Sequence, residues 1–211
     1  AFPERVLVGL GVSHKNLVND LRGHDYQRPL AAMRAYLDAM DNLPYTAERP
    51  TPPPRRVLAA LGPKMLELAA AKADGAHPYF ISPDHTAKAR SILGPGPLLC
   101  PEQAVVLETD PARAREIGRS YTAIYLSQPN YVNNMLRMGW SEEDLASAGT
   151  DAFVDALVAW GNEDTILERV QEHLDAGADH VCVQTLDNQR RGVPEEQWRR
   201  LAPVLTGGLR R

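Results

Sequence analysis

Five short stretches carry groups that could do chemistry. Gly9-Leu10-Gly11-Val12-Ser13-His14 closes an apolar run. It has the opening of a dinucleotide fingerprint, but His14 stands where a third Gly is needed, and Gly23 and Pro29 delay the helix that should follow. The glycines therefore read as close packing in a strand rather than as a Rossmann turn. Small residues at a strand end also suit a barrel site, where a ligand meets backbone. Leu58-Ala59-Ala60-Leu61-Gly62-Pro63-Lys64 joins an apolar run to a helix. Its small residues let a ligand reach the backbone, the helix N-terminus favours an anion, and Lys64 adds charge; a generic tight turn has the same composition. His77-Pro78-Tyr79 ends a third run, and there position more than residue type singles out His77. Glu108 and Gln184 end two more, the first a site carboxylate or a solvated loop residue, the second a hydrogen-bonding amide.

Other chemistries find little support. There is no G-x-S-x-G elbow and no Walker loop. His14, His24, His77, His85, His173 and His180 lack metal-ligand spacing, so no metal is expected. Ser13 and His14 are sequence neighbours, which is not a triad arrangement. Cys182 falls within a strand and is expected to be buried and inert. Tyr121, Tyr125 and Tyr131 read as packing residues. With no evident acid–base pair, an organic cofactor is expected to carry the chemistry.

The elements that must position these groups alternate strand and helix. Val6–Leu10, Val57–Leu61, Ala104–Leu107 and His180–Gln184 are apolar on both faces, as parallel strands covered by helices require; Ala76–Ile81 is a weaker fifth, broken by Pro78. Pro29 opens a helix with Leu30, Met33, Leu37 and Met40 at helical spacing. Pro63 opens another, which Gly75 stops, and Ser82-Pro83 a third, ending at Gly94. Asp110-Pro111 starts a helix with Ile117, Tyr121 and Ile124 on one face. Asn162 caps the next, and Pro194 opens the last, with Trp198, Leu201 and Leu205 inward. The pattern predicts a parallel α/β fold. Residues 44–54, rich in Pro, form an irregular loop. Residues 128–160 form an insertion, in which Gln128-Pro129-Asn130-Tyr131 breaks a helix and Phe153–Trp160 is helical again.

Composition narrows the functional class. The 211 residues are 44% hydrophobic and 24% charged, enough for a real core. The net charge is −4 and no basic stripe stands out, so nucleic acid is not an expected partner. No apolar stretch approaches the ~20 residues of a membrane span. Cys100 and Cys182 are too few for a disulfide framework, which fits a cytoplasmic protein.

Several of these segments, taken in order, resemble the bacterial-luciferase-like flavin and deazaflavin oxidoreductases. Arg5–His14 is similar to the family's fourth-strand segment, and Val57–Pro63 ("VLAALGP") to its fifth strand and phosphate-contacting turn. Ala73–Pro78 resembles the following "aDG" strand, Trp160–Asp164 the "GtPe" helix start, and Asp175–Gln184 the final helix–strand junction. The forms "GLGVSH", "LAALGPKML" and "ADGAHPY" resemble an actinobacterial subgroup that uses the deazaflavin coenzyme F420.

The resemblance implies a TIM (β/α)8 barrel that binds its coenzyme at the C-terminal ends of the strands and transfers a hydride to or from a small organic substrate. It places Gly11, Val12 and Ser13 against the coenzyme. It has Ala59, Ala60, Leu61 and Gly62 present backbone N–H groups to the phosphate, with Pro78 and Tyr79 lining the same side. His14 falls where a sugar-phosphate branch of the family has an acid–base glutamate, which makes it the candidate catalytic residue. The strands correspond to the fourth through eighth. Because such barrels usually run to ~250 residues, the first three strands, with an acidic ring partner and a non-prolyl cis peptide, are expected upstream of Ala1. The family also implies a homodimer. Two rivals stand beside F420-dependent hydride transfer: an FMN-dependent monooxygenase of the same fold, and a non-catalytic flavin- or deazaflavin-binding protein.

Overall fold

A computed structural model describes residues 5–44, 46–47, 50–187 and 192–209. Part of the expected 44–54 loop, at positions 45, 48 and 49, lies outside the described residues. Strand β1 (Leu7–Leu10) leads through a π-helical turn (Asn16–Leu21) to α1 (Pro29–Asn42). There follow β2 (Arg55–Leu58), α2 (Pro63–Lys72), β3 (Gly75–Ala76), α3 (Pro83–Leu93), β4 (Leu98–Leu99) and β5 (Glu102–Val106). The second half holds α4 (Pro111–Leu126), α5 (Pro129–Arg137), α6 (Glu142–Leu145), α7 (Asp151–Leu157), β6 (Val158–Trp160), α8 (Glu163–Asp175), β7 (Cys182–Thr185) and α9 (Glu195–Gly207). Helices α1 to α5 all open on a proline, whose missing N–H and fixed φ suit the first turn.

All strand pairs are parallel. One sheet has the order β1-β2-β3-β4 and the other β6-β5-β7. Strands β4 and β5 are consecutive pieces of one extended segment, and backbone bonds carry the sheet across the join. Cys100 N–H donates to Ala76 O (2.9 Å) and Glu102 N–H to Pro78 O (2.9 Å) on one edge, while Cys182 N–H donates to Pro101 O (2.8 Å) on the other. The result is an arc of five principal strands in sequence order, with helices between them: an α/β fold that forms part of a parallel barrel.

Glycine makes the tightest contact of the arc possible. A methyl group on Gly75 would overlap the Leu98 carbonyl and side chain, so no other residue fits where β3 meets β4. The core lies in three clusters. Met33, Leu37, Leu66, Leu68, Ala69 and Leu93 bring α1, α2 and α3 onto the first sheet. Phe80, Tyr121, Tyr131 and Phe153 form an aromatic cluster between the arc and the inserted helices. Val105, Ala159, Ile166 and Leu201 join the second sheet to α8 and α9. A buried polar bridge ties these layers together. Gln103 Oε1 accepts from His173 Nε2 (2.8 Å), Thr86 Oγ1 bonds His173 Nδ1 (2.8 Å), and Gln103 Nε2 donates to Leu157 O (3.1 Å). Burial, with Arg169 and His85 nearby, holds His173 down to about 3, so it is neutral.

Five expectations are corrected. Ala76–Ile81 does not run on as a strand: the strand ends at Ala76, Pro78 has no N–H for the ladder and only accepts from Glu102 N–H, and Phe80 takes a φ of 57° that turns the chain away. The edge of β5 so released is occupied by β6, and for that reason Val158–Trp160 is strand while only Asp151–Leu157 is helix. The π-helical turn begins immediately after His14 despite Gly23 and Pro29. Gly75 lies within β3, and α2 already ends at Lys72. Met40, Ile124 and Trp198 face outward (43%, 62% and 50% exposed), because the burying stripes of their helices end one turn earlier or lie to one side.

Candidate functional site

The C-terminal ends of β1, β2, β3 and β7 open at one end of the arc, where most of the singled-out residues collect. Gly11 follows β1, and a methyl group there would stand 3.1 Å from Ala59 Cβ, so the two strand ends approach closely. Ala59 N–H donates to Leu10 O (2.8 Å), fixing that approach. Ser13 adopts a φ of 63°, uncommon for a residue with a side chain, and its carbonyl accepts from Tyr26 Oη (3.1 Å). Val12, Ser13 and His14 are half-buried. The His14 ring lies 5.7 Å from the Tyr131 ring, and its Nδ1 is buried without a hydrogen-bond partner.

Ala59–Gly62 lead into the N-terminus of α2. Ala59 is exposed, Ala60 buried, and Leu61 and Gly62 intermediate. Gly62 is the N-cap, extended at φ −89° and ψ 161°, with no side-chain cap. The turn is braced from below, where His85 Nε2 donates to Leu61 O (2.9 Å). Burial lowers the His85 pKa, so this imidazole is neutral near pH 7. It is flanked from above by α5 of the insertion. The Arg137 guanidinium stands 3.4 Å from where a Gly62 side chain would begin, and Arg137 Nη2 donates to Asn134 Oδ1 (3.3 Å). Exposed backbone, a helix N-terminus and a guanidinium therefore meet at one turn, an arrangement suited to an anion.

The opposite wall is aromatic. Pro78 is buried and Tyr79 half-buried. Tyr79 Oη donates to Gln184 Oε1 at the end of β7 and accepts from Tyr125 Oη (3.1 Å). Ring contacts continue from Tyr79 to Tyr125 (5.2 Å), to Tyr131 (5.1 Å) and so to His14, closing a band over the mouth. Tyr125 and Tyr131 thus pack, as expected, but they pack against site residues. His77 serves the scaffold: its Nδ1 donates to Cys100 O (2.6 Å). Glu108 also serves the scaffold, accepting from Asp110 N–H (2.9 Å) in the turn before α4.

One carboxylate escaped the sequence reading. Glu102, 3% exposed at the start of β5, accepts from Tyr121 Oη (3.1 Å) and Phe80 N–H (3.3 Å). No described Lys, Arg or His pairs with it, and burial pushes its carboxyl up to about 7. The signal was available: Glu102-Gln103 heads a continuous apolar run, where a charged residue must find partners or stay neutral. Among the described residues no group of His, Cys, Asp and Glu could hold a metal ion, and no helix is long and apolar enough to cross a membrane.

A parallel barrel arc with its candidate site residues at the C-terminal strand ends defines a class, and the sequence assigns the family within it. The luciferase-like monooxygenase family model matches residues 1–180, and the chain belongs to that family of oxidoreductases. Solved structures of similar fold include an F420-dependent secondary alcohol dehydrogenase in complex with an F420–acetone adduct (13% identity over 87% of this chain, TM-score 0.66). Two others are the coenzyme F420-dependent tetrahydromethanopterin reductase from Methanopyrus kandleri (18% over 94%, TM-score 0.67) and the monooxygenase RslO1 from Streptomyces bottropensis (16% over 96%, TM-score 0.60). At these identities the likeness is one of fold. The chain spans 65%, 72% and 67% of those three chains. No curated protein matches the sequence.

Proposed function

We propose that the chain is an F420-dependent oxidoreductase that transfers a hydride between the deazaflavin and a small organic substrate. The Gly62 turn carries this reading: a coenzyme phosphate would suit its half-exposed backbone, backed by the α2 N-terminus and Arg137. Gly11, Val12 and Ser13 would hold the ring from the β1 side, and Pro78 and Tyr79 from the other. Ala60, Leu61 and Gly62 would hold the phosphate with backbone N–H groups, while Ala59, whose N–H is engaged by Leu10 O, would only line the turn. The coenzyme, when bound, supplies the two-electron chemistry; the chain binds it, excludes water with the Tyr125–Tyr131 band, and handles the proton. His14 is the proposed acid–base residue, since its unpartnered Nδ1 is free to hold or accept a proton beside the ring site. A homodimer in the cytoplasm completes the proposal.

Separate fluorescence titrations with F420 and with FMN test it. Tight binding of F420 with weak FMN binding is the expected result. The reverse would make the chain an FMN-dependent monooxygenase, and binding of F420 without turnover of any alcohol or carbonyl compound would make it a non-catalytic carrier. His14→Ala should lower turnover by about 10²-fold with little change in coenzyme affinity; unchanged turnover would remove His14 from the mechanism.

A further inference from the structure

Buried polar atoms without partners gather along one seam of the molecule. Among the described residues they are His14 Nδ1, His85 Nδ1, Asn134 Nδ2 and Thr185 Oγ1. All but Thr185 flank the line where the ends of β1 and β2 face α5. His14 follows β1, and its ring lies 5.7 Å from that of Tyr131 on α5. His85 lies beneath the Gly62 turn, with Nε2 bonded to Leu61 O (2.9 Å). Asn134 stands one helical turn along α5 from Tyr131 and is 2% exposed. Each such group in a folded chain needs an explanation, and three on one seam point to a shared one.

Asn134 is the most informative of the three. Its Oδ1 accepts from Arg137 Nη2 (3.3 Å), and the same Nη2 stands 3.4 Å from where a Gly62 side chain would begin. Spacing on α5 brings the pair together, since residues three apart are neighbours on a helix face. The carboxamide therefore lies beside the guanidinium at the α2 N-terminus, and its N–H donors meet no acceptor. An apolar side chain of the same shape would avoid the cost of burying them, so packing alone does not account for this residue. The charge around the turn has one sign. Lys88 of α3 brings Nζ to Met138 Sδ (3.8 Å), next in sequence to Arg137, and Lys64 lies in the first turn of α2. Among the described residues no carboxylate forms an ion pair with Arg137, Lys64 or Lys88.

We propose that Asn134 and Arg137 of the inserted helix α5 are the second half of a phosphate site whose first half is the α2 N-terminus, with the Asn134 amide a direct donor to a phosphate oxygen. The phosphate is held between two helices, by the Gly62 turn on one side and by the amide and guanidinium on the other. Arg137 is exposed, and its bond to Asn134 is long for a guanidinium, so it can pivot off the amide and take one phosphate oxygen while the amide takes another. The insertion then recognises the ligand, besides packing over the mouth. The site rests on the proposed function only for the source of the phosphate, which there belongs to the coenzyme; a phosphorylated substrate carries the same chemistry.

Titration of the whole chain with inorganic phosphate, at constant ionic strength and without coenzyme, tests the site. The natural chain should bind phosphate, and Asn134→Leu and Arg137→Gln should each weaken binding by about tenfold or more. Asn134→Leu should at the same time leave the melting temperature without phosphate unchanged or higher, because it removes a buried donor that has no partner. A merely structural Asn134 predicts the opposite pair of results, a lower melting temperature with phosphate binding intact, and that overturns the proposal, as does failure of the natural chain to bind phosphate. Should Asn134→Leu fold poorly, the side-chain N–H resonances of Asn134 in the natural chain, assigned by their loss in Asn134→Asp, decide the matter: they should shift as phosphate is added, and if they stay in place the proposal falls. Displacement of phosphate by F420 would identify the coenzyme as its source, whereas F420 bound together with phosphate would assign the site to a phosphorylated substrate; either outcome supports the site. Failure of F420 to bind would sink the functional reading and leave the phosphate titrations untouched.

Discussion

The two walls of the mouth are built on opposite principles. The β1–β2 wall is made of small residues: Gly11, Ala59 and Gly62 leave backbone accessible above the buried Ala60, and its polar groups are N–H and C=O. The wall formed by the β3 loop, α4 and α5 is made of large rings, and its polar groups are hydroxyls and one buried carboxyl. The first wall excludes side chains so that something else can approach; the second fills all its space and hides its charge. Mutations should therefore act in opposite ways, with removal of atoms harming the second wall and addition of atoms harming the first.

The largest effect is expected at Phe153, fully buried against Phe80 and Trp140. Phe153→Ala should destabilise the fold by about 4 kcal/mol in urea denaturation. If the loss were below 1 kcal/mol, roughly that of a surface change, the aromatic wall would not be a packed unit.

Next comes the carboxyl under that wall. The folded pKa of Glu102 is raised from 4.5 to about 7, so between those values the folded chain keeps a proton that the unfolded chain has lost. Its contribution is fully present below about pH 4.5 and falls by about 3 kcal/mol as pH rises to about 7. Glu102→Gln should remove that decline, seen as a smaller difference in stability between about pH 5 and about pH 8. An unchanged pH profile would show that Glu102 ionises normally.

A smaller loss, about 2 kcal/mol, is expected for Gly75→Ala, where the added methyl meets backbone that cannot yield. The smallest separates the walls most sharply. At Gly62 an added methyl meets only the flexible end of Arg137, so Gly62→Ala should change stability by less than about 0.5 kcal/mol. It should nevertheless weaken F420 binding in the titration described above. Equal binding by Gly62→Ala and the natural chain would place the phosphate elsewhere.

The same contrast explains what could be read before the structure. The first wall is written as local composition: "GLGVSH" and "LAALGPK" are short, contiguous and small, and helix starts at Pro29, Pro63 and Pro111 have local causes. The second wall is assembled from residues 79 to 184, and no short pattern announces that Tyr79, Glu102, Tyr121 and Gln184 meet. The length of β3 was misjudged for the same reason. Ala76–Ile81 has strand composition, but the edge of β5 that it would have to pair with is taken by Val158–Trp160 of β6, remote in sequence, and the chain turns away at Phe80. Arg137 was missed because its relation to Gly62 exists only once the insertion folds back.

The neutral imidazole bridging Thr86 and Gln103 has a consequence for how the whole molecule answers acidity. His173 ordinarily titrates near 6.5 and is held to about 3 in the fold. As pH falls between those values the unfolded chain gains a proton that the folded chain refuses, so this group makes stability decline on acidification. Glu102 does the reverse over about 4.5 to about 7. Across the overlap, from about 4.5 to about 6.5, the two slopes have equal size and opposite sign, so one buried acid and one buried base level the stability curve between them.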